Sequence, residues 1–309
     1  MTLVWLPDDE WSAFLDAPSN VDIDVWVPGR PIPESVGSVD FYVPEYMGSE
    51  ESLSVMSQMT GLRVVQTLTA GTDDVLPYLP ENATLCNAAG VHDASTAELA
   101  VGLAIAALRG FAPFIRAQTQ GTWLHSRRDA LADRRVMVIG AGSVGTAVID
   151  RLSPFEVDVV AVARNARNNE HGVDVRGVDE INDLLPSADV VILTVPLTEQ
   201  TMHLVDAEFL KRMRDDALLV NVSRGQVVDT DALLAELRSG RLRAALDVTD
   251  PEPLPDDHPL WQAPNVLITP HVGGDTSAFL PRAWRLLQAQ IDRFARGDRL
   301  VNVVHEPSR

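Results

Sequence analysis

A glycine triplet set between a strand and a helix constrains this chain more than any other segment. Arg135-Val136-Met137-Val138-Ile139 runs directly into Gly140-Ala141-Gly142-Ser143-Val144-Gly145, and residues 146–152 continue with helical character. In such a turn Gly140 permits the tight reversal, and Gly142 lets backbone N–H groups near Ser143 and Val144 approach a pyrophosphate. Gly145 lets the helix pack close to the strand, with its positive end facing the phosphate. A Gly-x-Gly-x-x-Gly pattern alone is also an ordinary glycine-rich turn, so context has to decide. Here further apolar runs follow at residues 157–163, 190–195, 218–222, 244–248 and 266–269. Each is short and nearly continuous, as strands covered on both faces are. The segment therefore predicts a Rossmann-type doubly wound α/β domain that binds a dinucleotide.

The 309 residues are enough for a second domain. Residues 1–6 read as a first strand, not a secretory leader, because no basic region precedes them and the chain reaches acid at Asp8. Runs at 21–27, 39–43 and 63–68 are rich in β-branched and aromatic residues, and 49–61 reads as a helix between them. Alternation of this kind predicts a smaller, flavodoxin-like α/β domain. Two long helical segments, 94–108 and 277–296, are the natural connectors, the second with Trp284, Leu287, Ile291 and Phe294 available for one face. Residues 300–304 read as a final strand. The expected division is 1–98 with 277–309 as substrate domain and 99–276 as dinucleotide domain. Substrate and cofactor are expected to meet in a cleft that closes on them.

The end of the strand at 157–163 selects the cofactor. A carboxylate there would bind a ribose 2′-hydroxyl, as NAD requires. The chain has Arg164-Asn165-Ala166-Arg167 instead. Arg164 and Arg167 suit the 2′-phosphate of NADP, which favours NADP(H) and leaves NAD(H) as the alternative. Three segments at later strand ends carry groups for chemistry: Asn221-Val222-Ser223-Arg224-Gly225, Asp247-Val248-Thr249-Asp250-Pro251-Glu252-Pro253 and Thr269-Pro270-His271-Val272-Gly273-Gly274. Each by itself is an ordinary turn, but strand carboxyl ends are where open α/β sheets bind ligands.

In that order after the glycine turn, these segments make the chain resemble the D-isomer-specific 2-hydroxyacid dehydrogenases. Thr69-Ala70-Gly71-Thr72-Asp73, residues 87–98 and Pro196-Leu197-Thr198-Glu199-Gln200-Thr201 extend the likeness over nearly the whole chain. The resemblance implies Arg224, Glu252 and His271 as catalytic residues. It places Thr194, Pro196, Thr201, Val222, Ser223 and Gly273 along the cofactor and Asp247 near the nicotinamide carboxamide. It also implies a homodimer, with Trp123 as an interface candidate beside an equally open packing role. The chemistry asks for the same residue types. Reducing a 2-oxo acid needs a cation for the carboxylate, which Arg224 supplies as a fixed fork. It needs a proton donor, and an imidazole titrates near neutrality, which suits His271. Glu252 would orient that imidazole. Backbone N–H groups of Ala70, Gly71 and Thr72 would take the substrate carboxylate from the other domain.

The net charge is −19 and Lys211 is the only lysine. Such a field disfavours nucleic acid and anionic membranes as partners, and no apolar run nears the ~18 residues of a membrane span. The acidic, lysine-poor balance fits a haloarchaeal, salt-adapted member of the family, with an acidic mesophilic protein as the alternative. The lone Cys86 points to a reducing cytoplasm. No metal cluster is expected, and His92, His125, His171, His203, His258 and His305 read as surface or loop residues. The loop Tyr42-Val43-Pro44-Glu45-Tyr46-Met47 offers apolar groups and no arginine, which favours an aliphatic 2-oxo acid over a phosphorylated one. Glyoxylate or hydroxypyruvate is the runner-up. A dinucleotide-sensing corepressor and a formate- or phosphite-type dehydrogenase are the other readings of the same architecture.

Overall fold

The computed structural model describes residues 1–168 and 173–307; His171 lies outside them. The chain divides into two compact units, Met1–His92 with Ser277–Arg309, and Asp93–Thr276.

In the first unit, β1 (Thr2–Leu6), β2 (Val21–Val25), β3 (Phe41–Tyr42), β4 (Val64–Gln66) and β5 (Thr84–Cys86) form a parallel sheet. The last strand, β14 (Val303–His305), adds to β5 antiparallel, so the order is β14-β5-β4-β3-β1-β2. The five parallel strands thus take the 2-1-3-4-5 order of flavodoxin-like folds. The pleat sends alternate residues to opposite faces. Val4 and Leu6 join Phe41, Val43 and Val64 on one side, where the Phe279–Arg296 helix contributes Phe279, Ala283, Leu287 and Ile291. Trp5 points the other way, into Trp26, Tyr42, Met56 and Leu62. Trp284 and Phe294 lie at the margin of the first cluster, only partly buried.

The helix expected over 49–61 is broken. An α-helix covers Glu50–Ser54, its start capped by the Ser49 side chain, and a tighter 3-10 turn covers Val55–Gln58. Val55 and Met56 in that turn are both buried.

The second unit holds β6 (Arg135–Ile139), β7 (Asp158–Ala163), β8 (Arg167–Asn168), β9 (Asp174–Gly177), β10 (Val190–Leu193), β11 (Leu218–Asn221), β12 (Arg243–Leu246) and β13 (Val266–Ile268). Their order is β13-β12-β11-β10-β6-β7-β9-β8. All neighbours are parallel except the short β8–β9 pair at the edge. This is the doubly wound arrangement, and the winding reverses between β6 and β10. Every residue of β10 and β11 is buried. Val191 and Leu193 enter one core layer and Val190 and Ile192 the other, which explains why these strands read as unbroken apolar runs. In the second layer, Ala97, Ala100 and Ala104 of the Asp93–Arg109 helix meet Val148, Ile149 and Leu152 of the Ser143–Leu152 helix. The small side chains allow that approach.

Gly110, at φ +69, ends the Asp93–Arg109 helix, and a second helix, Phe111–Thr119, starts at once. Pro113 is tolerated in its first turn. Cys86 is free and buried; desolvation pushes its thiol up to about 11, while a hydrogen bond with Gln290 pulls the other way. No single helix among the described residues is long and apolar enough to cross a membrane.

Candidate active site

The glycine turn sits where the winding of the larger sheet reverses. Gly140 has φ +107, and a Cβ there would lie 2.7 Å from the Thr194 carbonyl carbon. Thr194, just past β10, donates its hydroxyl to the Gly140 carbonyl at 2.7 Å. At Gly145 a Cβ would stand 1.8 Å from the Gly140 oxygen, so only glycine lets the helix come this close. Gly142 differs: a Cβ there would meet nothing within 4 Å. It caps the Ser143–Leu152 helix without a side-chain hydrogen bond, and Ser143 beside it is exposed while Val144 is half-buried. Open space before uncapped helical N–H groups fits a pyrophosphate.

Arg164 and Arg167 follow β7, and both are exposed. Arg167 reaches back to donate to the Ala141 carbonyl in the glycine turn at 2.7 Å. The cationic loop and the phosphate turn are therefore joined. Pro196 and Thr201 lie in the loop after β10, where the Thr201 hydroxyl donates to the Pro196 carbonyl at 2.6 Å and accepts from the Thr198 N–H at 2.8 Å. Thr201 thus shapes this loop from within.

Three strand ends bring Arg224, Glu252 and His271 together. After β11, buried Asn221 accepts from the Ser223 N–H and hydroxyl at 3.0 and 2.7 Å, and its amide donates to the Arg224 carbonyl at 2.9 Å. Val222 and Ser223 are buried by this turn. Gly225 then passes so near the end of β12 that a Cβ would lie 1.9 Å from the Thr249 oxygen. The Arg224 side chain is half-buried and donates to the Ser223 carbonyl at 2.9 Å.

Asp247, 3% exposed, organises the other two segments. Its carboxylate accepts from the Thr269 hydroxyl at 2.6 Å, the Val272 N–H at 3.0 Å and the Gly273 N–H at 2.9 Å. Its carbonyl takes the His271 N–H at 2.7 Å. This clamp holds His271 at φ +53, a left-handed conformation that a non-glycine residue adopts only when its surroundings over-determine it. The imidazole Nδ1 meets Glu252 Oε1 at 2.5 Å, which leaves Nε2 as the nitrogen for a ligand. Burial draws the Glu252 carboxyl upward. The hydrogen bond and charge of His271, a backbone hydrogen bond from Thr249 and the charge of Arg224 outweigh it and hold that carboxyl below its ordinary range. Arg224 therefore acts on the same carboxylate that orients the imidazole. Such a set can hold an anion, polarise a carbonyl and move one proton.

In the first unit, Ala70, Gly71 and Thr72 are half-buried. Their backbone N–H groups donate to no acceptor among the described residues, whereas the neighbouring carbonyls are all engaged. A turn with free donors and occupied acceptors is a receptor for an anion.

His92 lies in a loop, as expected, and is buried there: it is 5% exposed, bonded through Nε2 to the Leu68 carbonyl at 2.7 Å and stacked on Phe279. Tyr42 and Val43 belong to the core, and the Tyr42 hydroxyl donates to the Ser52 carbonyl at 2.9 Å. Of that loop, Glu45 and Tyr46 are half-buried and Met47 is exposed. Asn221, Gly225 and Asn87, whose amide holds the Ala70 carbonyl at 2.7 Å, escaped sequence reasoning. A polar residue closing an apolar run, as Asn221 closes Leu-Leu-Val, was the available signal.

Fold and site together define a dinucleotide-binding α/β protein with an arginine and a His–Glu pair at its strand ends. Residues 101–273 match the model described as D-isomer specific 2-hydroxyacid dehydrogenase, NAD binding domain, and the chain belongs to that family. It is accordingly an NAD(P)-dependent oxidoreductase whose reaction class is the reduction of 2-oxo acids. A D-3-phosphoglycerate dehydrogenase of Methanocaldococcus jannaschii is 32% identical over 84% of the chain, which spans only 51% of that protein. A glyoxylate reductase/hydroxypyruvate reductase of Mus musculus is 34% identical over 70% of the chain and 68% of its own length. The crystal structure of a D-isomer specific 2-hydroxyacid dehydrogenase from Xanthobacter autotrophicus Py2, in complex with NADPH and MES, superposes with a TM-score of 0.84 at 28% identity, covering 98% of both chains.

Proposed function

We propose that this enzyme uses NADPH to reduce aliphatic 2-oxo carboxylic acids to D-2-hydroxy acids, with His271 as general acid. The 2.5 Å pairing of His271 with Glu252, beside Arg224, carries the reading. The bound dinucleotide supplies the hydride. Arg224 holds the substrate carboxylate and polarises the keto oxygen. In the first unit, the free N–H groups of Ala70, Gly71 and Thr72 form a turn suited to a 2-oxo acid's carboxylate. As negative charge develops on that oxygen, His271 gives it the proton on Nε2, and Glu252 stabilises the imidazolium through Nδ1. In the oxidative direction the same nitrogen accepts the proton. NADP is favoured by Arg164 and Arg167, which stand where NAD-selective proteins carry an acid.

An aliphatic substrate is favoured by the absence of arginine from residues 42–47, and glyoxylate or hydroxypyruvate is the alternative. The acidic, lysine-poor composition supports a salt-adapted protein of haloarchaeal type, and the lone Cys86 supports a reducing cytoplasm. Apolar side chains exposed along one segment support a homodimer: Phe111, Ile115, Leu124 and Trp123, the last 94% exposed.

Steady-state kinetics with NADPH and NADH across 2-oxo acids test the reading. The expected result is a preference for NADPH and for four- to six-carbon oxo acids, and a fall in kcat of about 10²-fold or more in His271→Gln. Unchanged turnover in that variant would remove His271 from the mechanism. Tight dinucleotide binding without turnover would favour the sensor, and preference for a phosphorylated acid would overturn the substrate class.

A further inference from the structure

The carbonyls next to the free N–H groups of Ala70, Gly71 and Thr72 are each held by a hydrogen bond within the fold. The Thr69 carbonyl accepts from the Ala88 N–H and the Thr67 hydroxyl, each at 2.8 Å. The Gly71 carbonyl accepts from the Thr69 hydroxyl at 2.7 Å, and the Ala70 carbonyl accepts from Asn87 Nδ2 at 2.7 Å. Asn87 is fixed in turn: its N–H donates to the Asn302 carbonyl at 3.0 Å, and its own carbonyl accepts from Gln66 Nε2 at 3.0 Å. Gln66 Oε1 accepts from Gln290 Nε2 at 2.7 Å. Gln290 is locked to the chain's last segment, donating to the Val301 carbonyl at 3.0 Å and accepting its N–H at 2.9 Å. Asn302 completes the ring by donating to the Ala89 carbonyl at 2.8 Å.

Gln66 and Gln290 are both 0% exposed. Gln290 stands on a helix face otherwise made of Phe279, Ala283, Leu287 and Ile291. Two buried amides give less net stability than well-packed apolar side chains, and they are tolerated only when fully bonded. Gln66 also donates to the Thr67 carbonyl at 2.9 Å, and Gln290 also bonds the Cys86 thiol, so both amides are fully engaged and their remaining bonds lead through Asn87 to the turn.

We propose that the buried Gln66–Gln290 pair, acting through Asn87 and the C-terminal residues Val301 and Asn302, is a positioning element for the Ala70–Gly71–Thr72 N–H groups and so sets affinity for the substrate carboxylate. The inference rests on the reading that this turn grips a 2-oxo acid. Neither glutamine touches substrate; both fix the direction in which the turn's donors point.

The test uses the full enzyme with 2-oxobutyrate as substrate and oxamate as a carboxylate inhibitor. Gln290→Met and Gln66→Met are each expected to raise KM for 2-oxobutyrate and Ki for oxamate together, by about tenfold. Misaiming one hydrogen bond to a charged group costs about tenfold in affinity, whereas KM for NADPH and kcat should stay within about twofold. The double variant Gln66→Met/Gln290→Met removes both buried amides, so melting temperature should recover while KM remains high. A purely structural pair would restore both. Asn302→Gly keeps the left-handed backbone at that position, φ +55 in the native chain, and loses only the Ala89 contact. It is expected to raise KM in the same sense, and it serves if the glutamine variants do not fold. Unchanged KM and Ki in any folded variant, or KM returning with stability in the double variant, overturns the inference. Wild-type enzyme that reduces no 2-oxo acid would instead overturn the underlying reading, before any variant is made.

Discussion

Gly225 and Glu252 show how single residues set this site. At Gly225 a methyl group would stand 1.9 Å from the Thr249 oxygen, which is backbone and cannot swing aside. Gly225→Ala must therefore push the Arg224 turn away from the end of β12. A shift of about 1 Å at a catalytic group costs on the order of 10²-fold in rate. We expect kcat/KM to fall by at least about that factor, measured by NADPH oxidation; a loss under threefold would mean the turn relaxes harmlessly. At Glu252, the depressed carboxyl has a definite sign in stability. The contribution is present above the ordinary carboxylate range and is lost as pH falls through the depressed value. Thermal melts of wild type and Glu252→Gln should therefore differ at neutrality and converge toward strongly acidic pH. Curves that stay parallel would show that the carboxylate charge does not couple to folding.

At the scale of elements, two aspartates with similar local work should differ sharply in consequence. Asp229 caps the Thr230–Ser239 helix by accepting the Ala232 N–H at 3.0 Å. Asp229→Ala is expected to cost about 1 kcal/mol in denaturant unfolding and leave kcat unchanged. Asp247 is buried and satisfies three donors of the turn that carries His271. Asp247→Ala strands those donors, so we expect about 3 kcal/mol or more of destabilisation together with loss of turnover. Equal effects in the two variants would contradict the clamp. The Phe111–Thr119 helix and the residues after it make an element-scale prediction too. If a second copy covers Ile115 and Trp123, Trp123→Glu should halve the mass seen by light scattering.

For the whole molecule, charge dominates. With a net charge of −19, the folded chain repels itself at low ionic strength. Local arginine–aspartate pairs offset part of this: Arg134 and Arg214 share Asp189, and Arg134 and Arg243 share Asp129. Such partly exposed pairs are worth about 0–1 kcal/mol each, and salt screens them as well. Repulsion between many exposed carboxylates is the larger quantity, so melting temperature is expected to rise between 0.1 and 3 M KCl, as the screening length shrinks from about 10 Å to under 3 Å. A flat or falling curve would reject salt adaptation.

Much was legible before any coordinates, for one reason: period and turn chemistry are local. The apolar runs at β10 and β11 announced strands buried on both faces, and the glycine triplet announced a tight turn, since close approach leaves no alternative residue at Gly140 and Gly145. Arg224, Glu252 and His271 were recognisable from their order along the chain. The hydrogen bonds that aim them were not. Asp247 spans more than twenty residues to reach Val272 and Gly273, and Gln290 spans 224 to reach Gln66. The burial of His92 was equally hidden, since Phe279 stacks on it from the far end of the chain. The amino-acid sequence by itself determined the sheet types, the glycine turn and the polar residues that close the strands, because each is encoded within a few consecutive residues. Only the tertiary structure decided which carbonyls are occupied, which N–H groups stay free and which way the imidazole faces, because those depend on side chains that meet only after the chain has folded.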